Sequence, residues 1–292
     1  MTIGVMFNTD RLAGEDLVSF ARRVEEAGID TMWVPELFGR EPIAAAAWLL
    51  AATDRLRVAT GIANVYARDA VAASAAARTL GELSGDRFVL GLGVSNAGLV
   101  GMRGHTWEPP LSKLAAYLDE MQAAQLAGPA PSRVTPVHVA AHGPKMVELV
   151  AARCDGLSTY LQSPEHTALV RSSLSEGQEL NVTQMCLLCD DPVEARRLGR
   201  KAIAFYVGLD YYHRAWRTQG FDESDWAGGG SDRLVDMLVA WGDEHTIEAR
   251  LRAHTDAGAN EMVIIPLNPA GGGEPHWPVL EAVVSMNWSD EI

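Results

Sequence analysis

Arg87-Phe-Val-Leu-Gly-Leu-Gly-Val-Ser-Asn96 is a short apolar run that ends in two glycines and two small polar residues. Val and Leu on both faces suit a strand buried on both sides. Gly91 and Gly93 remove side chains where something must come close to the backbone. Ser95 and Asn96 then stand just past the carboxyl end of the strand. In an α/β fold that end is where ligands bind.

The same strand-then-helix unit recurs on both sides of this stretch. Apolar runs predict strands at Ile3–Asn8, Thr31–Pro35, Leu56–Ala63 and Phe88–Val94, then at Val137–Ala141, Gly156–Tyr160, Val182–Leu188 and Met262–Leu267. Between them lie helical patterns. Leu17, Phe20, Ala21 and Val24 share one face and Gly28 is a natural stop. Pro42 opens an Ala-rich helix, and Asp69 caps another that ends near Ser84-Gly85. Leu111, Leu114, Leu118 and Met121 predict one face of a further helix. Pro192 to Gly258 is too long for one crossover helix, so it reads as a helical insertion centred on residues 205–245. Alternation of about eight strands with helices predicts an α/β (β/α)₈ TIM barrel, with that insertion between strands 7 and 8. The expected organisation is one domain over residues 1–292. An open doubly wound sheet would need a dominant phosphate loop early in the chain, and none is present.

Composition bounds the function. The chain of 292 residues is 48% hydrophobic and 21% charged, enough for one large core. A formal net charge of −14 disfavours nucleic acid and anionic membrane surfaces. The three cysteines, Cys154, Cys186 and Cys189, fit a reducing compartment. With no secretory leader pattern and no apolar run of spanning length, the expectation is a cytoplasmic protein.

Reading just past each strand gives Asn8, Glu36, Asn64, Asn96, His142, Tyr160, Asp190 and Asn268. Convergence of polar residues at those places is the functional signal. Asp190 reads more simply as a helix cap. Gly91-Leu-Gly-Val-Ser-Asn resembles the start of a dinucleotide fingerprint, but has Asn where the last Gly belongs and shows no immediate helix. Ala140-Ala-His-Gly-Pro-Lys-Met reads equally as an ordinary turn or as an anion site, where a tight turn opens a helix with outward N–H groups. Gly61 inside the third strand predicts a bulge or a close backbone approach. Arg68 is expected to meet either acidic groups of a ligand or the surface around Asp69. Cys186 and Cys189 lie three apart on a strand and face opposite ways, which suits packing. His138 and His142 share a strand face but lack a third ligand, so no metal is expected. No nucleophile elbow is present.

These residues together resemble the luciferase-like flavin and deazaflavin oxidoreductases, in particular the coenzyme F420-dependent branch. The resemblance spans nearly the whole chain. It is carried by Glu-Ala-Gly-Ile-Asp-Thr-Met-Trp-Val-Pro-Glu (Glu26–Glu36), by Thr60–Arg68, by Leu83–Ser95 and by Gly143-Pro-Lys-Met. It implies a luciferase-like (β/α)₈ barrel, often a homodimer, that moves hydride between deazaflavin coenzyme F420 and a small organic substrate. It also implies a non-prolyl cis peptide, here Gly61-Ile62, that props the back of the ring. Ala63 and Asn64 continue that wall. Ser95 and Asn96 would meet the ring or its ribityl chain, and the turn of Ala141, His142, Gly143, Pro144 and Lys145 would hold the phosphate. Glu36 is the expected proton-transfer and cofactor-binding residue. Relatives follow this acidic residue with His, whereas Leu37 follows it here.

Two other readings stay open. One is an FMN-dependent luciferase-like monooxygenase on the same fold. The other is a barrel that binds a cofactor or ligand without catalysis. The aromatics Phe205, Tyr206, Tyr211, Tyr212 and Trp216 suit a substrate pocket, a dimer face or plain core equally, and Tyr66 and Trp107 are similarly undecided.

Overall fold

The computed structural model describes residues 1–271, 273–286 and 288. The fold class is the expected α/β (β/α)₈ barrel. The chain packs as two compact units.

One unit runs over Asn8–Ser158 with Ser175–Glu179, and the other comprises Met1–Phe7, Thr159–Leu174 and the chain from Leu180 onward. The second of these contains β1 (Thr2–Met6). The unit that begins at Asn8 holds β2 (Thr31–Val34), β3 (Arg57–Thr60), β4 (Ala63–Asn64), β5 (Phe88–Gly93) and β6 (Val137–Ala140), and most of β7 (Gly156–Tyr160). Its helices are α1 (Gly14–Glu26), α2 (Pro42–Ala52), α3 (Ala70–Ser84), α4 (Ala97–Met102), α5 (Pro110–Ala123) and α6 (Pro144–Arg153). Every residue of β5 is buried, as its unbroken apolar run requires. The predicted face of α1, Leu17, Phe20, Ala21 and Val24, is the buried one. Asp69 caps α3 through the Ala72 N–H, and Gly85 ends it at φ 65°, a left-handed conformation that favours glycine. On α5 the buried residues are Leu114, Tyr117 and Leu118, while Leu111 is exposed, so its predicted stripe is rotated toward Tyr117.

The amino ends of these strands are closed by two charged side chains. Glu25 accepts the backbone N–H groups of Asp54, Arg55 and Leu56 at 3.0, 2.5 and 2.7 Å. Arg87 donates to the carbonyls of Leu50, Leu56 and Ser84 at 2.7, 3.0 and 2.9 Å. Each satisfies groups that helix and strand ends leave without partners.

The other unit carries α7 (Pro164–Arg171), β8 (Glu179–Leu188), α8 (Pro192–Ile203), α9 (Asp210–Arg217), α10 (Glu223–Trp226), α11 (Asp232–Leu238), β9 (Val239–Gly242), α12 (Glu244–Asp256), β10 (Glu261–Pro266) and α13 (Trp277–Ser285). Here β10 pairs in parallel with both β1 and β8. The region expected to be wholly helical contains β9, which pairs with Met185–Leu188 of β8. Leu238 ends a helix and Val239 begins a strand with no Gly or Pro between them, so the sequence carries no punctuation there. Tyr212 and Trp216 are buried at 4% and 0% exposure in this unit's apolar cluster. Their rings stack at 5.4 Å, and the Trp216 indole N–H donates to the Leu161 carbonyl at 2.9 Å. Of the three readings for the aromatic insertion, core is the one these two residues take.

Candidate functional site

The residues expected to bind the cofactor fall at the carboxyl ends of neighbouring strands in the unit that begins at Asn8, whereas Tyr160, Asp190 and Asn268 lie in the other unit. Register places them side by side. Val34 pairs with Thr60, Asn64 with Gly93, and Leu92 with Val139. Glu36, Gly61-Ile62, Ser95 and His142 each stand one to three residues beyond those positions.

The third strand breaks as its glycine predicts. Ala59 pairs with Val89 and Ala63 with Leu92. Four steps on one strand thus match three on the other, so one extra residue is bulged out. Within the bulge the Gly61–Ile62 peptide is cis. The Thr60 hydroxyl takes over the missing ladder rung: it donates to the Gly91 carbonyl at 2.7 Å and accepts from the Gly91 N–H at 2.9 Å. A side chain at Gly91 would overlap the Thr60 carbonyl oxygen. What comes close to this glycine is therefore the neighbouring strand itself.

Glu36 is tied to the far side of the bulge. Its side chain is 4% exposed and accepts the Asn64 backbone N–H at 2.7 Å. Arg68 grips both carboxylate oxygens, at 2.9 and 3.0 Å. Its second partner is Glu41 at 2.7 Å, whose other oxygen caps α2 through the Ala44 N–H at 2.6 Å. Burial pulls the Arg68 guanidinium down, but the bonds to Glu36 and Glu41 outweigh this and raise it above its ordinary value. Within the chain, the acidic partners of Arg68 are Glu36 and Glu41. Arg103 adds a second cation, 3.5 Å from Glu36. It also donates to the Leu37 carbonyl at 2.5 Å and lies over the Phe38 ring at 5.4 Å. Sequence reasoning missed Arg103; the signal was that it is the one cation between Arg87 and Lys113.

The remaining predicted residues divide by what their side chains already do. Asn64 accepts the Tyr66 N–H at 2.9 Å, a local turn of the kind Asn favours. Ser95 is half-buried with φ 63°. Asn96 caps α4 through the Leu99 N–H at 3.1 Å. The helix thought absent after Ser95-Asn96 is thus present; two glycines in its six residues hid it. Ala141 is buried, with its N–H on the Ser158 carbonyl. His142 is half-buried, and Gly143, Pro144 and Lys145 are exposed. Gly143 precedes α6 with no capping side chain; Pro144 has no N–H and the Met146 and Val147 N–H groups turn back to the Gly143 carbonyl, so this end presents the positive pole of the helix and the exposed Lys145. Tyr66 stacks on Trp107 at 5.9 Å and its hydroxyl accepts the Glu108 N–H at 3.0 Å.

His138 lies elsewhere on β6. It is 1% exposed, and burial pushes its ring down to about 3. Burial likewise pushes the Cys186 thiol up to about 12, so that thiol is a packed group. Among the described residues no group of three His, Cys, Asp or Glu could hold a metal ion.

The sequence profile of the luciferase-like monooxygenase family matches residues 1–261. A Mycobacterium tuberculosis protein named "Putative coenzyme F420-dependent oxidoreductase" is 28% identical, over 82% of this chain and 87% of that one. Among solved structures, the coenzyme F420-dependent tetrahydromethanopterin reductase of Methanopyrus kandleri superposes with TM-score 0.71 at 14% identity, covering 97% of each chain. The oxygenating constituent of 3,6-diketocamphane monooxygenase from Pseudomonas putida, in complex with FMN, gives TM-score 0.69 at 15% identity over 98% of this chain and 97% of that one. At such identities the structural likeness is one of fold.

Proposed function

The chain belongs to the luciferase-like monooxygenase family, and we propose that it is an oxidoreductase that uses coenzyme F420 to exchange hydride with a small organic substrate. The observation that carries this is the strand-end platform. A bulged third strand, latched by Thr60 on one side and by Glu36 on the other, stands beside half-buried Ser95 and the uncapped start of α6. A flat ring with a phosphorylated side chain is what such a site suits. The naming of the mycobacterial relative supports the deazaflavin over a flavin.

When bound, coenzyme F420 supplies the carbon that gives or accepts the hydride. The chain's residues bind, orient and shield it. Ile62, with Gly61, Ala63 and Asn64, would back the ring. Ser95 and Asn96 would border it, and Ala141, His142, Gly143, Pro144 and Lys145 would hold the phosphate. Lys145 and the α6 amino end offer the local positive potential that an anionic ligand needs on a chain of net charge −14. Glu36 was expected to move a proton. Its oxygens already accept from three donors, so its proposed part is to hold Arg68 and the Asn64 turn in place. Glu36→Gln is then expected to weaken cofactor binding at least as much as turnover. A loss confined to turnover would restore the proton-transfer role.

Self-association into a homodimer is part of this proposal. Helix α2 carries no charged residue, and its exposed face is Ala44, Ala47, Trp48 and Ala51. It packs on α3, which exposes Val71, Ala72, Thr79, Glu82 and Leu83, so the charge-free face is that of α2 itself. A charge-free face is where two chains of net charge −14 would meet at least cost. Sedimentation of wild type against Trp48→Glu tests it, with a dimer and a monomer expected. No helix among the described residues is long and apolar enough to cross a membrane, and the three free thiols favour the cytoplasm.

Titrating the purified protein with coenzyme F420 and with FMN, and following the visible absorption of each, tests the cofactor. Tight binding of FMN alone would favour the monooxygenase reading. Oxidation of the reduced deazaflavin by a panel of small organic acceptors tests catalysis, and no acceptor at all would favour a binding protein.

A further inference from the structure

Gly91 and Gly93 lie two apart on β5 and so face the same way. They make room for different things. A side chain on Gly91 would meet backbone, the Thr60 carbonyl oxygen. For a methyl group on Gly93 the three nearest atoms all belong to one side chain: it would lie 2.6 Å from Ile62 Cδ1, 2.7 Å from Cγ1 and 3.5 Å from Cβ. The geometry points to Gly93 as a positioning residue that sets how far the Ile62 side chain stands out from the sheet, and thereby where a flat cofactor ring settles against it. This rests on the cofactor reading above and goes beyond it by naming the residue that fixes the platform's height.

Three observations confine the effect to Ile62. The backbone before it is fixed by the Thr60 hydroxyl on Gly91. The backbone after it is fixed by Asn64 N–H on the buried Glu36 carboxylate. Between those anchors a β-branched side chain has few torsional choices. Ile62 is half-buried, so one side of it is open while the other rests on Gly93. A methyl at residue 93 is relieved by turning Ile62 off β5, toward the open side.

The test is a cycle of four proteins: wild type, Gly93→Ala, Ile62→Ala and the double variant. Each is titrated with coenzyme F420 and read by its visible absorption. Gly93→Ala is expected to weaken binding at least tenfold and to shift the bound absorption band. In the Ile62→Ala background, where the nearest remaining atom is Cβ at 3.5 Å, the same change is expected to alter affinity less than twofold. Equal losses in both backgrounds, or none in either, overturn the proposal. If Gly93→Ala alone does not fold, the double variant must fold and bind like Ile62→Ala, and its failure overturns the proposal as well. If wild type binds neither F420 nor FMN, the cofactor reading falls. The role in placing the ring falls with it, and melting temperatures of the same four proteins then judge the Gly93–Ile62 contact alone, where additive losses overturn it and non-additive losses uphold it.

Discussion

The bulge at the strand ends and the aromatic insertion are held together by opposite means. Around the bulge, order comes from a few directed bonds: Thr60 on Gly91, Glu36 on Asn64 and Arg68, Arg103 on Leu37. In the insertion it comes from area, with Tyr212 and Trp216 stacked and Tyr206 edge-on to Tyr160 at 5.1 Å. Directed bonds fix atoms within a narrow range, which suits a site that must present groups to a ligand. Packed area gives stability with less positional demand.

Four measurements sharpen or break that contrast, beginning with the largest expected effect. Trp216→Ala removes a fully buried ring and leaves the Leu161 carbonyl without its donor. It should cost about 5 kcal/mol in denaturant unfolding. A cost under about 2 kcal/mol would mean that the insertion is not packed as core. Glu36→Ala strips the half-buried Arg68 of one partner but leaves it Glu41, so the expected loss is about 3 kcal/mol. Cofactor affinity should fall with it, whereas Trp216→Ala at a temperature where it stays folded should leave affinity within a few-fold.

The third measurement is acid sensitivity, to which each unit contributes one buried ring outside these two regions. His138 in one unit and His254 in the other are pushed by burial down to about 3. A histidine whose folded value is depressed stabilises the fold fully above its ordinary value near 6.5 and progressively less as pH falls toward 3. Each ring should therefore cost about 1.4 kcal/mol per pH unit below 6.5. Comparing unfolding midpoints at pH 7 and pH 5.5 checks this, and His254→Gln should flatten part of the slope. The His254 ring spans Thr167 at 2.9 Å and Gln184 at 3.2 Å, contacts that a neutral imidazole can make. The smallest effect is Thr60→Val, which leaves the Gly91 N–H and carbonyl unserved, at about 2 kcal/mol. Thr60→Ser should restore it, and equal losses for both would locate the effect in packing.

Much of this was legible in the chain. The barrel follows from period and punctuation: α1's buried face, the Asp69 and Gly85 ends of α3 and the all-apolar β5 are local signals. Gly61 announced the bulge because glycine in a buried strand has few other uses. What could not be read was long-range or unpunctuated. Glu36, Arg68 and Arg103 meet across 32 and 67 positions of sequence with no periodicity to betray them. The capping role of Asn96 was hidden because a cap and a binding residue use the same chemistry, and α4 behind it is too glycine-rich to declare itself. Strand β9 was lost because Leu238 and Val239 are equally apolar on both sides of the change.

Glu41 divides its carboxylate between the first turn of α2 and the Arg68 guanidinium. Fraying of that turn would therefore release the cation, and with it one of the braces on Glu36. Helix-end breathing and loosening of the mouth become a single opening event. Its signature is deuterium uptake at the Ala44 amide that slows when a ligand settles nearby, although nothing bound need touch that helix.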